Sequence, residues 1–414
     1  MSELKGAAIF AQSGGPTPVI NASAAGVITE ALKAGPITHV YGSAHGIKGM
    51  LDDVIYDMSK EDKRELELLR TTPSSALGSA RYKLKHFEDN DADYIKILKL
   101  FRKYNIRYMF FNGGNDSMDT CNKVGAYFKS VGYECRVMGV PKTVDNDLWD
   151  SDHCPGFGSA AKYVSTACME IALDAKVYDT GMVIILEIMG RNAGWLTASS
   201  ALASYKGLGP DLIYLPELPF SIGKFLEEVE SIYNATGNVI VAVSEGVRDE
   251  KGVYVPEMNY QMLAQDSFGH TQLGGAASVL GSIIKQHMKV KVRPIEFSLL
   301  QRCAAHCASK TDADEAFLAG QTAVRHALEG KSGYMVGFER APGGEYICNT
   351  KLLDVSVVAN KEKKIPREWI NEAGNGVNQH YIDYALPLIK GESNIVIENG
   401  LPRFAKLKKV RAVV

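Results

Sequence analysis

The chain has 414 residues, enough for two domains with sizeable cores. Its 46 Lys and Arg against 48 Asp and Glu leave a net charge of −2, which removes any electrostatic case for nucleic acid or an anionic membrane and points to small-molecule partners. Seven cysteines, never spaced C-x-x-C, suit a reducing cytoplasm, and neither a cleavable leader nor a run of 18 apolar residues is apparent, so a soluble cytoplasmic protein is expected.

In chain order, "GAAIFAQ" stops at "SGGP", "RYMFFN" at "GGND", "CRVMGV" at "PKTVDND", "GMVIILEI" at "MGRNAG" and "NVIVAV" at "SEG". Short apolar runs that end in Gly-rich or Asp-rich turns and give way to helix-like segments predict parallel strands of an α/β fold. Ligands of such sheets sit beyond the carboxyl ends of the strands, so these five turns are where chemistry is expected.

The first turn offers Gly14 and Gly15 for close backbone approach to an anion, with Asn21 or Ser23 as a cap for the helix that follows. Residues 59–70 read as a solvated helix face, and "LGSARYK" places Arg81 where a guanidinium suits a phosphate. In "GGNDS", Gly113, Gly114 and Ser117 resemble a phosphate cradle, yet no Walker motif is present, and Asp116 sets a carboxylate where an anion would be repelled. "PKTVDND" is the densest turn, with Lys142, Thr143, Asp145 and Asp147 in six residues. If the segment is extended, both carboxylates lie on one side, so one can take a proton from a hydroxyl while the other orients a metal ion or its partner.

A composition break near residue 155 marks a domain boundary. Just beyond it, Gly156, Gly158 and Ala161 of "GFGSAA" come near a dinucleotide fingerprint, but no apolar strand precedes them. Further on lie Met189, Gly190 and Arg191 in "MGR", Glu245 in "SEG", then Arg293 and Arg302. Cys303, His306 and Cys307 in "CAAHC" could line one helix face as metal ligands, but their apolar setting favours packed thiols with a satisfied histidine, and the basic C-terminal tail reads as solvated.

Taken in order, "SGGP", "LGSAR", "GGNDS", "PKTVDND", "MGR", "SEG" and a late "QR" resemble the 6-phosphofructokinase family over residues 6 to 330. The resemblance implies two Rossmann-like three-layer α/β domains with mostly parallel sheets and the active site in the cleft between them. Residues 1–155 plus about 302–350 would form the phosphoryl-donor domain, and about 156–301 plus 351–414 the fructose 6-phosphate domain. It further implies phosphoryl transfer to the 1-hydroxyl of fructose 6-phosphate, with Asp145 as general base and Asp147 assisting. Thr143, Asp145, Met189, Gly190, Arg191 and Glu245 would contact the sugar phosphate, and Arg293 and Arg302 its 6-phosphate. Gly14, Gly15, Arg81, Gly114, Asp116, Ser117 and Lys142 would hold the donor, with Mg²⁺ bridging its oxygens.

ATP-using relatives typically carry Gly at the positions of Asp116 and Lys142, whereas pyrophosphate-using relatives look like this chain at both. The implied donor is therefore pyrophosphate: Asp116 would act as a gate against the nucleotide's α-phosphate, at several kcal/mol in a partly buried site, and Lys142 would neutralise the short donor. Asn115, the candidate metal ligand, stands where many relatives carry Asp. Met182 replaces the Arg of allosteric ATP enzymes, and Leu299 replaces a His or Tyr beside the sugar phosphate. The competing expectations are an ATP-dependent 6-phosphofructokinase, a non-catalytic regulatory subunit and an NAD-binding oxidoreductase. The family also implies a homodimer or homotetramer.

Overall fold

The computed structural model describes residues 4–262, 275–359 and 361–413. It divides into one unit of Met1–Ser159, Arg302–Lys363 and Lys390–Val414, and a second of Ala160–Gln301 and Lys364–Ile389. Strands β1 (Gly6–Gln12), β2 (Ile37–Ser43), β3 (Ile55–Asp57), β4 (Ile106–Gly113) and β5 (Arg136–Pro141) come first along the chain. The second unit supplies β6 (Met182–Ile188), β7 (Leu212–Tyr214), β8 (Asn238–Ser244) and β9 (Lys291–Glu296), before β10 (Tyr334–Arg340) and β11 (Cys348–Asp354) return to the first.

The first unit's sheet runs β11-β10-β5-β4-β1-β2-β3, parallel except for β10 with β11 and β2 with β3. Alternation along its strands sorts their side chains between two cores. Ile9, Met109 and Phe111 join Phe101 and Phe128 of helices Ala92–Lys103 and Asn115–Ser130 on one face. Phe10, Tyr108 and Phe110 join Ile28 and Val324 of helices Ile20–Ala31 and Lys310–Leu328 on the other. Because both faces are covered, the strands read as continuous apolar runs, and each fully buried Phe contributes about 1.5–3 kcal/mol relative to exposure.

The second unit holds a parallel sheet in the order β7-β8-β6-β9. Val183, Ile185, Val239 and Val241 bury against Phe225 and Ile284 of helices Ile222–Thr236 and Ala276–His287. Pro294 is accommodated because β9 is an edge strand. The Lys364–Ile389 segment of this unit is anchored by aromatic packing: Trp369 meets Trp195 edge-on at 5.9 Å.

The C-terminal part departs from the sequence expectation, which assigns all of 351–414 to the second unit; the basic side chains of the tail are exposed as expected, but its backbone is paired within the first unit. β11 pairs antiparallel with β10, Ala412 N donates to Ile55 O at 3.0 Å, and the amides of Lys408 and Lys409 donate to the Glu61 carboxylate at 2.7 Å. The tail's partners, Ile55 and Glu61, lie more than 300 residues upstream, which no local pattern in the tail encodes. Among the described residues no helix is long and apolar enough to cross a membrane.

Candidate functional site

The carboxyl ends of β1, β4 and β5 converge on one cavity of about 590 Å³, lined by the three turns that follow them together with residues 80–83 and Glu362. After β1 the chain turns through Gly14 in the left-handed region, φ +76, which glycine adopts without cost. A β-carbon on Gly14 would stand 3.1 Å from Lys142 Nζ, and one on Gly15 would stand 3.0 Å from Arg302 Nη1, so two cations lie directly over this turn. Ser79 Oγ donates to Gly14 O at 2.7 Å, which ties the segment carrying Arg81 to the same place. Neither Asn21 nor Ser23 caps the following helix. Its N-cap is Val19, and Asn21 is consumed in a buried network with Gln12 and Thr72 O.

After β4, helix Asn115–Ser130 begins at Gly114 with no side chain capping its first turn, and Gly114, Asn115, Asp116 and Ser117 all line the cavity. The positive end of the helix thus faces the site. A β-carbon on Gly113 would fall 1.9 Å from Ser117 Oγ, so only glycine lets this hydroxyl tuck under the turn. Asp116 lines the cavity, but its side chain is 89% exposed, with Lys83 Nζ at 3.7 Å. The partial burial on which a strong electrostatic gate depends is therefore not provided by this unit, and a hydrated charge repels an anion far more weakly.

After β5, Lys142 is buried, and burial pushes its ammonium down to about 8 against the pull of Asp145 and Asp147. The segment that follows is not extended. Asn146 is left-handed, φ +56, and fully buried, its Oδ1 accepting from Cys154 N at 2.9 Å, while Asp145 N donates to Thr143 Oγ1 at 3.1 Å. Asp145 and Asp147 reach the same cavity through this bend and not through strand alternation. Burial first, then Asp145, pushes the Asp147 carboxyl up to about 6.

Asn115 Nδ2 donates to Asp147 Oδ2 at 3.1 Å, and Asn115 Oδ1 is buried with no hydrogen-bond partner. An orphaned amide oxygen beside crowded carboxylates is a donor set of oxygens only, which fits a hard divalent cation such as Mg²⁺. Glu362 and Lys83 are charged members that the sequence does not single out, and Glu362 is the more remote. It lies in a charge run remote from every motif and enters the site through a bridge between Leu148 and Glu362 and a 2.8 Å bond from Lys363 N to Asp147 O.

In the second unit, Met189, Gly190 and Arg191 follow β6 and Glu245 follows β8, neighbouring parallel strands, so these residues assemble at one sheet end. Gly190 has φ +141, its carbonyl accepts from Ser244 Oγ, and Met189 N donates to Gln301 Oε1 at 3.2 Å. Arg191 lies 5.5 Å from the centre of the Tyr254 ring. Arg293 is not part of this assembly: it sits in mid-strand on exposed β9, opposite Ile184. Arg302, grouped with the sugar-phosphate contacts by the resemblance, packs on Gly15 in the first unit. The near-fingerprint at Gly156 is occupied by the protein itself, since Gly156 N and Ser159 N both donate to the Asp312 carboxylate, at 2.9 and 2.8 Å. A helix start already holding an anion does not take a dinucleotide pyrophosphate.

The family model described as Phosphofructokinase matches residues 7–295. The pyrophosphate–fructose 6-phosphate 1-phosphotransferase of Halomonas elongata is 42% identical over 408 residues, covering 98% of this chain and 96% of that protein. The enzyme of the same name from Xanthomonas campestris pv. campestris is 43% identical over 409 residues, covering 97% and 96%. A crystal structure of pyrophosphate-dependent phosphofructokinase from Marinobacter aquaeolei superposes with a TM-score of 0.89 at 39% identity, covering 99% of this chain and 98% of that one.

Proposed function

Because the chain belongs to the phosphofructokinase family, we propose that it is a pyrophosphate:fructose 6-phosphate 1-phosphotransferase, reversibly forming fructose 1,6-bisphosphate and phosphate. The observation that carries this reading is Lys142, a buried ammonium over the Gly14 turn in the cavity that also holds Asp145 and Asp147. A fixed cation on the cavity floor suits a compact, highly charged donor.

Pyrophosphate is held by the backbone of Gly14, Gly15 and Gly114, the Ser117 hydroxyl, Arg81 and Lys142, at the positive start of helix Asn115–Ser130. The sugar phosphate is taken by Thr143 with Met189, Gly190, Arg191 and Glu245, and by arginines for its 6-phosphate. Asp145 accepts the proton of the 1-hydroxyl as that oxygen bonds to the terminal phosphorus. The bridging P–O bond breaks and inorganic phosphate departs, its developing charge balanced by Lys142. Asn115 Oδ1, Asp147 and Asp145 would hold Mg²⁺, which when bound neutralises donor oxygens. Asp116 and Lys142 exclude the larger nucleotide, chiefly by occupying its space.

None of the cysteines among the described residues is joined in a disulfide, which supports a reducing, cytoplasmic setting. A homodimer or homotetramer is supported by the exposed Leu299 and Leu300, 55% and 58%, following edge strand β9; sedimentation analysis checks it. The deciding assay offers purified protein fructose 6-phosphate and Mg²⁺ with pyrophosphate or ATP in separate reactions. Turnover with pyrophosphate and at most a small fraction of it with ATP is expected. Preference for ATP, or no turnover with either donor, overturns the reading.

A further inference from the structure

Outside the phosphoryl-transfer cavity, His153, Glu315 and Cys348 bring one nitrogen, one oxygen and one sulfur ligand atom within 4.8 Å of one another. They come from three separate segments of the first unit: a loop, helix Lys310–Leu328 and the start of β11. His153 and Glu315 are buried, and Cys348 is half-buried on the solvent side.

Both inner ligands are already oriented by a second group. His153 Nδ1 faces Asp152 Oδ1 at 2.9 Å, and Asp152 is in turn held by Arg340 Nη2 at 3.1 Å. Tyr346 donates to Glu315 Oε1 at 2.6 Å, while Glu315 Oε2 lies 2.7 Å from His153 Nε2. The imidazole stacks on Phe338 with ring centres 4.8 Å apart, which fixes its plane. A carboxylate behind the far imidazole nitrogen is the arrangement that sets the tautomer of a metal-bound histidine.

We propose that His153, Glu315 and Cys348 supply three ligands to one zinc-class divalent cation whose fourth position is taken by water, a site independent of the metal that serves phosphoryl transfer. A mixed N, O and S set selects a borderline-soft ion over Mg²⁺. Bonds of about 2.0–2.3 Å in a tetrahedron separate ligand atoms by roughly 3.3–3.8 Å, so the histidine and glutamate part slightly and the thiol moves inward. The ion takes the place of the proton between His153 and Glu315 and of the thiol proton. Two protons leave, and dication, carboxylate and thiolate sum to zero charge. By joining three segments distant in sequence, the bound ion stabilises the first unit through mass action.

The test titrates the full, chelator-treated chain with Co²⁺ and, separately, Zn²⁺ in buffer free of phosphate and pyrophosphate. One equivalent bound, a sulfur-to-cobalt charge-transfer absorption and a rise in Tm with Zn²⁺ are expected. Cys348→Ser, a near-isosteric change at a half-buried position, is expected to keep pyrophosphate-dependent turnover, lose the charge-transfer absorption and weaken zinc by about tenfold or more. Glu315→Gln keeps the absorption but weakens binding. Failure of the unsubstituted chain to bind one equivalent, or an unchanged absorption in Cys348→Ser, overturns the proposal, the latter by assigning the thiolate to another cysteine.

Discussion

Asp116→Asn removes one charge while keeping the side chain's size, and so separates the two ways in which residue 116 can disfavour a nucleotide. The carboxylate is 89% exposed and Lys83 Nζ lies 3.7 Å away. In a water-like dielectric two unit charges about 4 Å apart repel by about 1 kcal/mol, and physiological salt with a neighbouring lysine reduces this further. One kcal/mol corresponds to a rate ratio of about five. The substitution is therefore expected to raise kcat/KM for ATP by no more than about fivefold, while kcat/KM for pyrophosphate stays within about threefold. Asp116→Gly, which also removes the side chain's volume, is expected to raise ATP use further. The assay is coupled measurement of fructose 1,6-bisphosphate with each donor varied at saturating sugar phosphate and fixed ionic strength. A hundredfold gain with ATP from Asp116→Asn alone, about 2.7 kcal/mol, would refute the reasoning, because it requires the carboxylate to act in a far lower dielectric than its exposure provides.

Asp145→Ala is expected to lower kcat by at least about a hundredfold with little change in fructose 6-phosphate affinity measured by calorimetry; wild-type turnover would remove Asp145 as the base. The Lys142 ammonium, held at about 8 in the free protein, binds pyrophosphate only when charged. Thus kcat/KM for pyrophosphate should fall as pH rises through about 8, and in Lys142→Arg, whose side chain stays protonated, that alkaline fall should vanish even if the rate is lower. Gly113→Ala places a methyl 1.9 Å from Ser117 Oγ and is expected to cost about 1–3 kcal/mol in denaturant unfolding while weakening pyrophosphate binding. A variant of unchanged stability would show that the turn relaxes freely.

The parallel α/β character and the position of the turns that line the cavity were legible because they rest on local signals. β1 and β6 coincide closely with apolar runs, and the Gly-rich or Asp-rich turns after β1, β4 and β5 mark where those strands end. Lys142, Asp145 and Asp147 were found because chemistry-bearing residues crowd into six consecutive positions. The route by which the two carboxylates reach one cavity was misread, since a buried left-handed Asn146 is held by Cys154 N, a partner beyond the turn itself. Glu362 and Arg302 show the same limit: one enters the site by bridging to Leu148 and the other packs on Gly15 beside it, both through contacts between distant segments.

What the chain's own order of residues determined was the succession of strands, the turns that follow them, and the charged groups those turns present, because each depends on neighbours a few positions away. Only the tertiary structure decided that Asp116 stays hydrated while Lys142 is buried, that the tail pairs beside β3, and that His153, Glu315 and Cys348 meet. Burial and long-range pairing are set by which surfaces the folded units bring together, and a residue's type and near neighbours do not carry that information.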